Sequence, residues 1–448
     1  MGTTLIFIAL IFFACIAWVR RDLALGTLLF ALPSYLMRFA LGPIPTTLLE
    51  GMILVLFATW FGRDCVGLRG FASRMKERWA GAVRAEQALY ISLAIFVFFA
   101  TVSVFVSPVL RGALGVWRAY FIEPALVFII FLDVVRSKEQ FRGMLHACIA
   151  SGVLIALFAV YQKFTGWHIP APWLIERRAT SLYEYPNAVG LYLAPIVFFA
   201  LGRFGEIVHD AKSMWMKSGA VAVKGASTVL LVSAVVCAKT GGALVGISSS
   251  LIAVALCWSR RSRISLVCVG VVIGVILFSH PAQFALIKEK LTFHAWSGQV
   301  RKVMWTETVA MIHDRPILGA GLAGYQSVFA PYHKANYIEI FLYPHSIVLN
   351  FWSEMGIGGL TSFFAIVACY FFLLFSALKA SRSRAPEERF FIRLYVTMFA
   401  AAMSTILIHG LVDVPYFKND LSVFFWMLLA CAVFLHQFAA AKEMDARA

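Results

Sequence analysis

The chain has 448 residues, 61% of them hydrophobic and 14% charged, with a formal net charge of +16 and a mean hydropathy of +0.82. A soluble domain is roughly half apolar and about a quarter charged, so no water-exposed globule hides this much apolar surface and a bilayer is the natural solvent. The charge, as its distribution below shows, is not a nucleic-acid footprint.

A membrane-spanning helix needs about 20 largely apolar residues. Thirteen stretches qualify: 3–19, 23–41, 46–62, 87–107, 117–135, 143–162, 188–206, 219–238, 242–258, 264–280, 358–378, 394–413 and 421–440. The first stretch lacks a basic n-region and is followed by Arg20-Arg21, so it reads as a retained helix and not a cleaved signal. If one of the two opening stretches does not cross, twelve remain. The predicted fold class is all-α, a polytopic helical bundle of 12 or 13 spans. The organisation predicted is transmembrane helices over 1–280, an extracytoplasmic loop with surface helices over 281–357, and further helices with a short cytoplasmic tail over 358–448.

Alternate connections carry 24 Lys and Arg on one side and 13 on the other. The richer side is cytoplasmic by the positive-inside rule, which puts the long loop at 281–344 outside. Eight cysteines, seven of them inside apolar stretches, support neither a disulfide framework nor a Cys-ligated metal site.

The loop at 163–187 holds Trp167 and Trp173, suited to a membrane interface, and Pro170, Pro172 and Pro186, which stiffen it. Arg177 and Arg178 are unusual on the outer side. Arg offers a planar fork of donors suited to phosphate; pairing with Glu176 or Glu184, or contact with headgroups, is the plainer reading.

The long loop predicts a surface helix from Ser297 to about Asp314, ending before Pro316, with Arg301 and Lys302 in its first turn. Gly319-Ala-Gly321-Leu-Ala-Gly324 matches G-x-G-x-x-G, but it follows no strand of a βαβ unit and is read as a helix-terminating turn. His345 then stands at the N-terminal end of a helix running through Glu354 to Gly356. A helix N-terminus favours neutral imidazole and attracts anions, and such a His can act as general base or be purely structural. His409 and Asp413, four apart, are expected on one helix face at the outer end of the 394–413 stretch, as a functional pair or as a helix-end anchor. No clustered carboxylates or His-x-x-x-His with an acidic partner suggest a metal, and no cofactor is expected.

Three segments together resemble the bacterial O-antigen ligase and polymerase superfamily, and most closely its O-antigen ligases. They are Arg178-Ala-Thr-Ser-Leu-Tyr-Glu-Tyr-Pro186-Asn187, then Arg301-Lys-Val-Met-Trp305 with Asp314-Arg-Pro316-Ile-Leu-Gly319-Ala-Gly321, and Pro344-His345-Ser346 with Glu354-Met-Gly356-Ile-Gly358-Gly359. The similarity runs over about residues 87–440. It implies a GT-C-type, metal-independent, inverting glycosyltransferase in the bacterial inner membrane with its site facing the periplasm. The implied donor is a glycan on undecaprenyl pyrophosphate, and the implied acceptor is lipid A-core or another glycan. By the resemblance Arg178 and Arg301 hold the pyrophosphate, His345 activates the acceptor hydroxyl, and Asp413 supports it. Arg177 is an alternative to Arg178. The chain has His345-Ser346 where relatives often have His-Asn, and Lys239-Thr240-Gly241-Gly242 where many have Ser-Arg-Gly, so Lys239 is the candidate for the missing cation.

Within this class a polysaccharide polymerase or a protein O-oligosaccharyltransferase fits the same residues with a different acceptor. A lipid-linked glycan transporter is the reading from another class; its expected mid-membrane charge is sparse here, whereas the notable polar residues gather at one surface.

Overall fold

The computed structural model describes every residue except 1, 210–213, 281–284, 286–287, 291 and 446–448. The first residues of the expected long loop and the end of the expected tail therefore lie outside the described residues.

Among the described residues the protein is all-α apart from one small hairpin. Helix α1 (Gly2–Val19) is followed by α2 (Arg21–Phe30). Here the structure departs from the expected span at 23–41. The α-helix stops at Phe30, a 3₁₀ turn covers Leu32–Leu36, and strands β1 (Arg38–Leu41) and β2 (Ile44–Thr47) pair antiparallel. Pro33 explains the break, since it has no N–H to donate and its ring collides with the preceding turn. Gly42, at φ +59, supplies the tight turn. Leu25, Leu28 and Leu29 of α2 and Leu32 of the 3₁₀ turn are fully buried, whereas Leu41 and Ile44 of the hairpin are exposed.

Helix α3 (Leu48–Trp60) begins in a capping box, Thr47 with Glu50. It passes through a π-turn at Phe61–Cys65 and bends by 87° into α4 (Leu68–Gly81). The 63–86 connection, read as a basic linker, is thus largely helical. Arg21 pairs with Asp64 at 2.5 Å, so the Arg20-Arg21 junction and the end of α3 lie together.

The remaining helices follow in order. They are α5 (Arg84–Val106), α6 (Leu110–Trp117), α7 (Glu123–Val134), α8 (Lys138–Thr165), α9 (Ala171–Leu174), α10 (Pro186–His209), α11 (Met214–Cys237), α12 (Gly241–Trp258), α13 (Arg260–Ser279), α14 (Trp296–Asp314), α15 (Tyr325–Phe329), α16 (Ile347–Ala380), α17 (Pro386–Gly410) and α18 (Asn419–Asp445). Among the described residues nine helical spans are long and apolar enough to cross a membrane, α6 and α7 counting as one, and ten if the bent α3–α4 pair is included. The apolar part of α1, Thr4–Val19, is shorter. Helix α13 opens on Arg260, Arg261 and Arg263.

Helices α10 and α18 form the centre: 83% of each apolar window is buried, against 17% and 22% for α11 and α12 at the periphery. Aromatic rings hold the centre together. Phe199 of α10 stacks on Phe399 of α17 at 5.0 Å and on Phe424 of α18 at 5.5 Å, and Phe141 of α8 stacks on Phe434 at 4.8 Å.

At one end of the bundle the glycine-rich turn locks into α16. This helix is broken at Gly356 (φ 65°, ψ −170°). A side chain on Gly356 would strike the Ile317 carbonyl, one on Gly319 the Ser353 carbonyl, and one on Gly321 the backbone of Ser107. Ala320 N–H donates to the Ser353 carbonyl (2.6 Å) and Leu322 N–H to the Ser103 carbonyl (3.1 Å). The surface helix itself ends at Asp314, before Pro316, so the glycines do not terminate it. They allow close backbone approach to the α16 break.

Candidate functional site

The α16 helix starts at Ile347 with Ser346 as its N-cap, which places His345 just outside the first turn. His345 adopts φ +48°, a left-handed conformation that costs a non-glycine residue about 1 kcal/mol or more. Its neighbours fix it. Trp305 of α14 donates to the Pro344 carbonyl at 2.9 Å, and the rings of Phe341 and Tyr343 stand edge-on to the imidazole at 5.1 and 5.3 Å.

His345 Nδ1 lies 3.6 Å from Asp413 Oδ1. That is an ion-pair distance, too long for a formed hydrogen bond, and Nδ1 has no other hydrogen-bond partner. A carboxylate beside Nδ1 favours the Nδ1–H tautomer and leaves Nε2 with its lone pair. Asp413 is 1% exposed. Its Oδ2 accepts from Asn187 Nδ2 at 2.8 Å and its Oδ1 from the Val414 N–H at 2.9 Å. Burial pushes the carboxyl up, but His345, His409 and these donors outweigh it and hold Asp413 well below the usual carboxylate range.

Arg301, in the second turn of α14, donates from Nε to the Val412 carbonyl at 2.8 Å and from Nη1 to the Ser297 carbonyl at 3.1 Å. Its guanidinium is thereby anchored one residue from Asp413, and Nη2 makes no hydrogen bond among the described residues. Burial lowers its basicity and Asp413 raises it. The expected helix from Ser297 to Asp314 is observed as Trp296–Asp314.

The shorter loop is stapled to α8 by the buried Gln162. Its Oε1 accepts from the Thr180 and Ser181 N–H groups at 3.0 and 2.7 Å, and its Nε2 donates to the Ser181 carbonyl at 3.1 Å. Arg178 sits over the Trp173 ring at 4.9 Å and donates weakly to the Ala238 carbonyl at 3.4 Å. Burial depresses its basicity. Arg177, at φ +45°, turns the other way and donates to the Phe164 carbonyl at 3.0 Å. The two guanidiniums therefore meet different partners. Neither pairs with Glu176, which instead meets Lys239 at 3.4 Å. Lys239 and Arg178 lie on the same seam, because Ala179 N–H donates to the Cys237 carbonyl at 3.1 Å. Thus His345, Asp413 and Arg301 come together, while Arg178 and Lys239 occupy the adjoining seam beside the start of α10.

One expectation is corrected. His409 and Asp413 do not share a helix face, because α17 ends at Gly410 and Asp413 belongs to the turn beyond it. His409 is 2% exposed and packs on Gly242, where a Cβ would collide with its ring.

Four contributors carry no assigned role in the sequence reading. Asn187, whose Pro-Asn pair marks only the entry into α10 in the sequence, reaches Asp413. Tyr185 and Tyr343 bring their hydroxyls to 3.4 Å, and burial pushes the Tyr343 phenol up to about 12. Lys418 points its ammonium at the rings of Tyr183, Tyr35 and Tyr185 at 4.6, 5.1 and 5.1 Å, and burial lowers its basicity. The sequence signal was present in the tyrosine-rich run 183–185, but nothing in it named their common partner.

Among the described residues no three His, Cys, Asp or Glu side chains converge as metal ligands would. The fold and site define a polytopic membrane protein with a carboxylate-oriented imidazole and half-buried arginines at one end of the bundle. Residues 226–364 match the family model described as O-Antigen ligase, which makes the chain O-antigen ligase-like over that region. Such proteins are ligase- or polymerase-type membrane glycosyltransferases. Lys239, Arg301 and His345 lie within the matched region; Arg177, Arg178 and Asp413 lie outside it. No curated protein matches the sequence.

Proposed function

We propose that the protein is an inverting, metal-independent glycosyltransferase that moves a glycan from undecaprenyl pyrophosphate to an acceptor hydroxyl, with lipid A-core as the acceptor. The observation that carries this reading is the chain Asn187–Asp413–His345, with Arg301 anchored beside it.

Glycosyl transfer from a pyrophosphate needs little more than a base and fixed positive charge, since the leaving group is already good. In the proposed step the acceptor hydroxyl gives its proton to His345 Nε2 as its oxygen attacks the anomeric carbon. The bond from that carbon to the pyrophosphate oxygen breaks on the opposite face, so the configuration inverts. Asp413 stabilises the imidazolium that forms, and Arg301 and Arg178 take up the charge developing on the departing undecaprenyl pyrophosphate. Lys239 is a secondary cation on the Arg178 seam.

The sparse Lys and Arg in the connections at this end of the bundle support a site on the periplasmic side of the inner membrane. The deciding experiment is reconstitution with a defined undecaprenyl-pyrophosphate glycan. Lipid A-core, a second lipid-linked glycan and a Ser/Thr peptide are offered in parallel, with EDTA present. Product on lipid A-core that disappears in His345→Ala supports the reading. Transfer to the second glycan alone assigns a polymerase, and transfer to the peptide alone a protein transferase. Loss of all transfer with EDTA removes the metal-free mechanism.

A further inference from the structure

The end of the bundle opposite His345 carries a cavity of about 460 Å³ between α4, the end of α7 and the last turns of α18. Three arginines in it, Arg74, Arg78 and Arg136, converge on a single carboxylate, Asp133, at 3.2, 3.8 and 2.9 Å. Asp133 is further occupied by Trp60 Nε1, which donates to it at 2.9 Å. One carboxylate cannot neutralise three guanidiniums. Glu77 also lines the cavity and keeps its charge while accepting from Ser73 on its own helix, so three guanidiniums face two carboxylates. Among the described residues Arg78 Nε is buried with no hydrogen-bond partner, although the Tyr90 hydroxyl stands beside the guanidinium. Met75, Leu132, Phe434 and Phe438 supply its apolar lining, with Gln437 beside them.

The setting matters as much as the charge. Helix α4 turns 87° from α3, so when α3 runs along the membrane normal α4 lies in the plane of the interface. Its sequence, with Arg69, Arg74, Lys76 and Arg78 beside Leu68, Phe71, Met75 and Trp79, has the composition of a helix lying among headgroups. Leu68 and Trp79 are 77% and 45% exposed, as an interfacial helix allows. A half-apolar, half-guanidinium cavity at headgroup level matches a molecule with a phosphate on one side and acyl chains on the other.

We propose that this cavity binds the phosphate headgroup of an anionic phospholipid, with Arg74 and Arg78 as its principal donors. The site is separate from the transfer chemistry and does not rest on it. The test uses the full chain, purified and stripped of native lipid. It is titrated with phosphatidylglycerol, with phosphatidylcholine of the same acyl chains, and with inorganic phosphate, and bound lipid is counted by native mass spectrometry. Phosphatidylglycerol is retained and phosphatidylcholine is not. In Arg74→Gln/Arg78→Gln retention weakens roughly thirtyfold, at about fivefold per arginine near a surface. Arg69→Gln, on the same helix but outside the cavity, binds as the unaltered protein does. Because Arg74 also holds Asp133, Arg78→Gln alone is measured as a milder variant, and melting without lipid is recorded for each. Equal retention of the two lipids, an equal loss in Arg69→Gln, or displacement of the lipid by inorganic phosphate overturns the assignment.

Discussion

Asp413→Asn keeps the shape of the side chain and removes its charge. In the structure that charge stands 3.6 Å from His345 Nδ1. At an effective dielectric of roughly 20, two unit charges at this separation attract by about 4–5 kcal/mol. That attraction is realised only when the imidazole becomes imidazolium, so it lowers the barrier and not the ground state. The full value corresponds to on the order of 10³ in rate. The His345 side chain is 19% exposed, so solvent screens part of it, and a loss on the order of 10²–10³-fold is expected. The amide adds a second effect, since its NH₂ can face Nδ1 and favour the tautomer whose Nε2 carries the proton. The assay is single-turnover transfer in nanodiscs with donor binding measured separately. Transfer within about threefold of the unaltered rate, or a fall matched by lost donor affinity, would refute the orienting role.

Other outcomes follow from the same geometry. His345→Ala abolishes transfer while donor binding is largely kept, read as product formed against donor retained on the purified protein. Arg301→Lys replaces a fork anchored on Val412 with a point charge and weakens donor binding by about tenfold, measured by competition with undecaprenyl pyrophosphate. Gly356→Ala forces a Cβ onto the Ile317 carbonyl at positive φ and costs upwards of about 3 kcal/mol, seen as loss of monodisperse protein in detergent. His333 is held above its ordinary basicity by Glu307 at 2.9 Å. The stabilisation is full below the unfolded value of about 6.5 and is lost as pH rises through the higher folded one. Hydrogen-exchange protection over residues 330–338, taken relative to the base-catalysed intrinsic rate, should therefore fall on the alkaline side and lose that dependence in His333→Gln. Unchanged protection across this window would remove the clasp from the account of the loop.

The apolar stretches were legible because a bilayer leaves the chain few options, and so was the surface helix ending before Pro316. The 23–41 region was not, since Leu25, Leu28, Leu29 and Leu32 serve a short helix and a turn as well as one long helix, and hydropathy is blind to the difference. His345, Asp413 and Arg301 could be nominated from residue type and resemblance. The resemblance groups them in one site, but it does not announce the contact that fixes Asp413, since Asn187 reaches it across 226 positions. Arg177 and Arg178 diverge where Arg177 takes φ +45°, a torsion that residue type alone does not announce. The glycine run around 319–324 looked like a helix stop because its partner, the break at Gly356, lies in another segment.

The pairing of His345 with a carboxylate beyond α17 has a consequence for biogenesis. During synthesis the α14 arginine, the imidazole and the glycine lock all precede Asp413. Until the turn at 411–418 has been threaded between α17 and α18, the imidazole has no counter-charge and Asn187 has no acceptor. The protein should therefore stay silent toward its lipid-linked glycan throughout translation and become competent only once its last helical hairpin is seated.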